Sequence, residues 1–144
     1  MTRARAGAGA LACACALLLG ACGRAYVYPD LSEPERTLRT FEQAWKMGDV
    51  DVLERVYTGI PLIDLRAQIQ KNGRDAVRDY YRKDADAVAF EVGDAVEGEH
   101  VTYLSVRVRT GRAGAKPVAY RFALARVGEE WKISNFVAEA GQGQ

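Results

Sequence analysis

From Leu38 onward the apolar positions of this chain recur first at helical and then at strand spacing. Leu38, Phe41, Ala44 and Trp45 fall on one stripe while Arg36, Arg39, Glu42 and Lys46 fall on other faces, which predicts an amphipathic helix. Ser32 followed by Glu35 reads as a capping box at its start, with Pro34 in the first turn. Gly48 ends this helix, and Asp49 or Asp51 restarts a second, whose stripe is Val52, Leu53, Val56 and Tyr57. So short a junction folds the two helices against each other. Thr58 to Pro61 interrupts, after which Leu62, Leu65 and Ile69 predict a third helix ending at Asn72 and Gly73. Ala76, Val77, Tyr80 and Tyr81 predict a short fourth.

Beyond Ala85 the period changes to two. Val88, Phe90 and Val92 share one parity, as do Leu104, Val106 and Val108, then Tyr120, Phe122 and Leu124. In the last run Trp131, Ile133, Asn135 and Val137 fall on one side and Phe136 on the other. Gly93 to Glu99, Gly111 to Gly114 and Gly128 with Glu129 supply turn chemistry at hairpin spacing. Helices followed by four antiparallel strands define an α+β class, the helices covering one face of a curved sheet.

The N-terminus follows a different pattern. Arg3 and Arg5 precede a run from Ala6 to Gly20 that is wholly small or apolar, the length of an export signal and too short to span a bilayer comfortably. It ends Leu19, Gly20, Ala21, Cys22, which resembles the lipobox of bacterial lipoproteins. The resemblance implies cleavage between Ala21 and Cys22, a diacylglycerol thioether on Cys22 and acylation of the new amino group, typically with palmitate. Two or three acyl chains would hold a small domain on a membrane stably. Gly23 stands where an Asp would resemble an inner-membrane retention signal, so the expected address in a Gram-negative cell is the periplasmic face of the outer membrane. An ordinary secretory peptide or an uncleaved anchor is the alternative. The expected organisation is signal peptide 1–21, lipidated Cys and tether 22–31, folded domain 32–140 and tail 141–144. Tyr26 and Tyr28, in the tether, either sit at headgroup level or pack on the domain.

Composition narrows the function. The chain has 144 residues, 20 basic and 19 acidic, and no long basic tail, so nothing favours nucleic acid as a partner. Of 3 cysteines, Cys13 and Cys15 would leave with the signal, so the mature domain holds itself without a disulfide. With one histidine, His100, and no free mature thiol, the usual catalytic triads and two-histidine metal sites are excluded, and no metal or cofactor is expected.

Three stretches carry a further likeness: FEQAWKMGDVDVLERVY from Phe41 to Tyr57, GRDAVRDYYR from Gly73 to Arg82, and WKISNF from Trp131 to Phe136. They resemble the landmarks of the nuclear transport factor 2-like superfamily. That resemblance implies a cone of helices wrapped by a strongly bent sheet, with a pocket inside. The segment Ile60 to Ile69 departs from it, since many members place a short strand where this chain looks helical or irregular. Enzymes of the superfamily use a pocket Asp, His or Tyr as acid or base.

Candidate chemistry is sparse. Asp49 and Asp51 read as caps, Asp75 and Asp79 as surface charge, and His100 as a solvated residue at a strand start. Asp64, between Ile63 and Leu65, is the weak candidate for a catalytic base; the alternative is a surface carboxylate on a short helix. Tyr103, Arg107 and Arg109 share a strand face, with Arg121 on the next strand and Glu91 as a cross-strand partner; they read as a polar outer face or an anion site. TGRAGAKP, Thr110 to Pro117, is a hairpin loop rather than a phosphate loop, lacking the Gly-Lys-Ser/Thr ending. Trp45, Tyr57, Tyr81, Tyr120, Phe122 and Asn135 are the expected pocket residues, suited to an apolar ligand oriented by the Asn135 amide. The expected function is a lipid-anchored cell-envelope protein with a non-catalytic ligand-binding or protein-interaction domain. The alternatives are an isomerase- or cyclase-type enzyme of the same fold and a structural module of an envelope assembly. A monomer or weak dimer is expected, because the outer sheet face is too polar for a dry obligate interface.

Overall fold

Four helices precede four strands in the computed structural model, which describes residues 25–111 and 115–140. The helices are α1 Pro34–Met47, α2 Val50–Val56, α3 Ile60–Asn72 and α4 Arg74–Arg82, followed by a 3₁₀ turn at Ala85–Ala87. The strands, β1 Ala89–Val96, β2 Val101–Arg109, β3 Val118–Val127 and β4 Glu130–Ala138, form one antiparallel sheet in the order β1-β2-β3-β4. A meander of this kind needs only hairpin connections, which the glycine-bearing turns provide.

The helices cover one face of the sheet. Leu38, Phe41 and Ala44 of α1, Leu53 and Val56 of α2, Leu65 of α3 and Val77 of α4 meet Leu104, Val106, Phe122, Leu124 and Ile133 in a single core. Register puts Phe90 opposite Val108, Val106 opposite Tyr120 and Leu104 opposite Phe122, so the apolar parity of each strand points to the same side. Two irregularities, between Val92 and Ala95 on β1 and between Ala123 and Leu124 against β4, bend the sheet.

The two edges of the sheet differ. Along β4, the Thr58 amide donates to the Ile133 carbonyl at 2.9 Å and the Trp131 amide donates to the Leu31 carbonyl at 2.8 Å, so neighbouring segments take up its backbone groups. β1 is an edge strand exposed from Glu91 to Val96, and its bulge and the charges of Glu91 and Asp94 disfavour pairing with another chain.

Asp49 caps α2 as its spacing predicts, accepting from the Val52 amide at 3.1 Å. The capping box at Ser32 does not form: the N-cap of α1 is Glu33, with no side-chain cap. Ser32 instead donates its hydroxyl at 2.6 Å and its amide at 3.0 Å to Oδ1 of Asp30, a charged and therefore stronger acceptor than an orphan helix amide is a donor. Arg36 holds the other oxygen of Asp30 at 2.8 Å.

Asp30 belongs to a strap that is docked from Tyr26 onward, inside the segment expected to be a tether. One hydroxyl makes three of the strap's contacts. Thr40 Oγ1 donates to the Asp30 carbonyl and accepts from the Asp30 amide, both at 2.9 Å. Its single proton is thereby spent, so the Tyr26 hydroxyl 3.0 Å away is the donor to its remaining lone pair. Tyr28 donates to Asp49 Oδ2 at 2.9 Å, and Leu31 is buried in the core.

Gly48 makes the turn between α1 and α2 possible for two reasons. Its φ of 64° is in the left-handed region, and a Cβ there would stand 2.8 Å from the Arg78 carbonyl oxygen and 2.7 Å from Cγ of Arg82. Gly48→Ala should therefore cost about 2–4 kcal/mol, combining left-handed strain with overpacking against α4. Urea denaturation checks this, and a loss below about 0.5 kcal/mol would mean that α4 does not press on the junction.

The Asp30 carboxyl is held down to about 2, first by the Ser32 hydroxyl and then by the Arg36 guanidinium. A depressed carboxyl stabilises the fold fully above its ordinary range near 4 and loses that contribution as pH falls toward about 2. The stability difference between wild type and Asp30→Asn should therefore shrink steadily between those limits. A gap that stays constant in urea titrations across that window would contradict it.

Candidate functional site

Between α1 and the concave face of the sheet the core stops short of filling the space. The remaining cleft has a volume of about 220 Å³. α1 contributes Phe41 and Trp45, and Tyr57 follows α2; α4 contributes Tyr80 and Tyr81, and α3 contributes Gln68. The sheet side is Phe90, Val108, Tyr120, Phe122 and Phe136, with Thr110 just past the end of β2.

The rings hold one another in position. Phe41 lies 5.6 Å from Trp45, 5.3 Å from Tyr57 and 5.4 Å from Phe90, centroid to centroid. Trp45 meets Tyr81 edge-on at 5.2 Å, and Phe122 stacks on Phe136 at 5.5 Å. These are the separations at which aromatic pairs attract beyond simple burial.

Among the described residues, no carboxylate, imidazole, ammonium or guanidinium belongs to a side chain lining the cleft. The lining residues that carry polar side-chain atoms are Tyr57, Tyr80, Tyr81, Tyr120, Gln68, Thr110 and Trp45. Burial pushes the Tyr57 hydroxyl well above its ordinary range, and the neighbouring Tyr81 hydroxyl adds to that. Burial raises Tyr81 as well. Both therefore stay protonated at any physiological pH; the Tyr57 proton is directed at the Tyr81 oxygen, which leaves the Tyr81 hydroxyl as the donor for an acceptor on a bound molecule.

Of the residues expected to form a pocket, Trp45, Tyr57, Tyr81, Tyr120 and Phe122 come together on this cleft. Asn135 does not. On β4, Ile133 pairs with Leu124 but Asn135 pairs with Ala123, so Ser134 is an extra residue and the parity flips after it. Asn135 is exposed on the outer face, its Oδ1 accepting from the next amide, and Phe136 takes the inward position. Strict alternation through β4 therefore misplaced both. Asp64 is exposed on α3 and does not line the cleft; Gln68, one turn on, is the α3 residue that does.

His100 is exposed beside Glu99 in the β1–β2 turn. Register confirms that Arg107 faces Glu91 across the strands, while Arg121 lies 3.5 Å from Glu139. Arg107 and Arg121 thus have carboxylates beside them, while Arg109 pairs with Ala89. Phe41 and Phe90 carry inward-facing stripe or parity positions, and Tyr80 a place in the stripe of the fourth helix, that could have been counted with the pocket; Phe136, Gln68 and Thr110 give no such signal. Cys22 and Ala21, the expected lipidation and cleavage positions, lie outside the described residues.

No protein-family model matches the chain, and no curated protein matches it. Among solved structures, the chain resembles a SEC-C motif-containing protein from Rhodopseudomonas palustris, with a TM-score of 0.54 and 16% identity over 76% of this chain and 80% of that one. It also resembles a designed protein of the nuclear transport factor 2 type, with a TM-score of 0.51 and 12% identity over 74% of this chain and all of that one. At such identities the likeness concerns fold alone. The fold is α+β and nuclear transport factor 2-like, with an open four-stranded sheet.

Proposed function

We propose that this chain is a lipid-anchored protein of the cell envelope whose domain binds a small apolar ring compound in the aromatic cleft and leaves it chemically unchanged. The observation that carries the binding role is the lining: aromatic on nearly every side, with tyrosine, threonine and glutamine as its polar side chains and, among the described residues, no charged one. A cleft of about 220 Å³ is smaller than the sites that hold drug-sized ligands. It suits one substituted ring, since a cavity of about 150 Å³ holds benzene. The anchor rests on Leu19 to Cys22 alone.

Protein interaction is the second reading, favoured by exposed Val96, Tyr103 and Val137 on the outer sheet face. Val96 pairs with Tyr103, which makes part of that surface continuous. Arg107, Arg109 and Arg121 interrupt it, so the interaction would be weak and self-association would not go beyond a weak dimer.

The chain's 2 tryptophans provide a direct readout. Trp45 lines the cleft and Trp131 does not, so Trp131→Phe isolates the reporter. A hydrophobic naphthalene-type probe should quench that Trp45 emission saturably. Phe136→Leu should weaken binding about five-fold, the worth of one ring contact, and Asn135→Leu should leave it unchanged. Equal losses in the two variants would place the ligand on the outer face instead. Disappearance of a ring compound with turnover in the wild type would make the protein an enzyme.

Lipidation is checked separately in cells fed labelled palmitate. Label should enter the wild-type chain and be absent from Cys22→Ala; equal incorporation would remove the anchor.

A further inference from the structure

Among the described residues Tyr26 is the first whose side chain the domain holds, and Cys22 is four residues before it. At about 3.6 Å per residue that stretch spans at most roughly 14 Å, under half the roughly 30 Å width of a domain this size. The docking point is fixed on the outer face of α1. The Tyr26 hydroxyl is 3.0 Å from Thr40 and 3.4 Å from Gln43, and the Arg39 guanidinium lies 4.1 Å from the ring centre. An anchor at Cys22 can therefore bring only this side of the molecule to a bilayer.

The surface there has the chemistry of a headgroup contact. Val27 is 70% exposed and Met47 is 49% exposed, the latter one turn beyond Gln43 on the same face of α1. Arg39 and Lys46 lie on the adjoining faces of the helix, and the stems of Arg78 and Arg82 pack against Gly48, the neighbour of Met47. The nearby carboxylates are taken up within the protein. Glu42 pairs with Lys46 at 2.6 Å and Asp75 with Arg78 at 3.0 Å, and Asp49 accepts from Tyr28 and Val52, so Arg39 and Arg82 are the cations of this face that have no ion pair among the described residues.

We propose that in the anchored protein this face, Val27 and Met47 flanked by Arg39 and Arg82, rests on the headgroups of a bilayer carrying anionic lipid. This rests on the lipidation of Cys22 proposed above. Apolar side chains of this size enter the interface only shallowly, and basic groups are drawn to an anionic surface within a Debye length, so the patch orients a domain that the acyl chains retain. Its consequence concerns the cleft. Gln43 and Met47 are each two residues past Phe41 and Trp45, which puts them about 200° round the helix, on its opposite side. α1 then stands between bilayer and cleft, and ligand enters from the aqueous side.

The test uses the full acylated chain in vesicles containing phosphatidylglycerol and a headgroup-linked quencher. With the Cys22 thiol consumed by its lipid, single cysteines at Met47→Cys, Glu97→Cys and Asn135→Cys can each carry a fluorophore. Quenching at position 47 should exceed that at 97 and 135 at least about three-fold, and should fall about two-fold when phosphatidylcholine replaces phosphatidylglycerol. Acylated chain quenched equally at all three positions, or more strongly at 97 or 135, overturns the orientation while leaving the anchor intact. Indifference to lipid charge overturns the role of the two arginines. A chain shown by mass spectrometry to carry no acyl group overturns the anchor reading and this inference with it.

Discussion

The insertion of Phe41 into the concavity of the sheet is the contact on which the rest of the arrangement depends. The ring is almost fully buried and touches rings from α1, the end of α2, β1 and β3 at once. Burying such a side chain stabilises the fold by roughly 2–3 kcal/mol, with about 0.5–1.5 kcal/mol more for each well-placed ring pair. Those gains fix how closely α1 approaches the sheet. Aromatic rings packed at tilted and edge-on angles cannot fill a concave surface as aliphatic chains would, so the same contact that closes the core on one side leaves the cleft open on the other.

The elements were legible wherever one period ran unbroken. The stripe from Leu38 to Trp45, the Gly48 junction, and the parities of β2 and β3 appear in the structure as the spacing predicts. Legibility failed where a local competitor redirected a side chain. Ser32 has the right spacing to Glu35 for a cap, but the carboxylate of Asp30 lies two residues away and captures both Ser32 donors. Ser134 adds one residue to β4, and a single extra residue exchanges the inner and outer faces beyond it. That is why Phe136 replaces Asn135 at the cleft. Neither competitor changes the hydrophobic period in a way that pattern reading detects.

The chemical character of the cleft was only half legible for a related reason. Ring residues announce themselves by being large and apolar at inward positions, whereas a polar residue flanked by apolar ones has two explanations that sequence alone does not separate. Asp64 is flanked by Ile63 and Leu65, yet Ile63 is exposed and Leu65 buried, so the apolar setting read from the sequence is two opposite faces of α3. The carboxylate lies with Ile63 on the exposed side. Gln68, a turn away, contributes a neutral amide to the cleft. Hydroxyls and an amide offer a bound acceptor hydrogen bonds that survive any ordinary pH.

One helix joins the two halves of the proposed function. The inner side of α1 supplies Phe41 and Trp45 to the cleft, and its outer side, through the hydroxyl of Thr40, holds the strap that leads back to Cys22. Each strap hydrogen bond contributes only about 1 kcal/mol, but Thr40 satisfies three partners with one oxygen, and leaving the Asp30 backbone groups unpaired would cost more than the bonds themselves contribute. The strap therefore behaves as part of the folded unit rather than as a loose leash. If it were free as far as Leu31, an anchored domain could turn any side to the membrane. Docked at Tyr26, it would limit a domain anchored at Cys22 to one side, and the orientation of the cleft would then follow from a threonine on the far side of the helix that lines it.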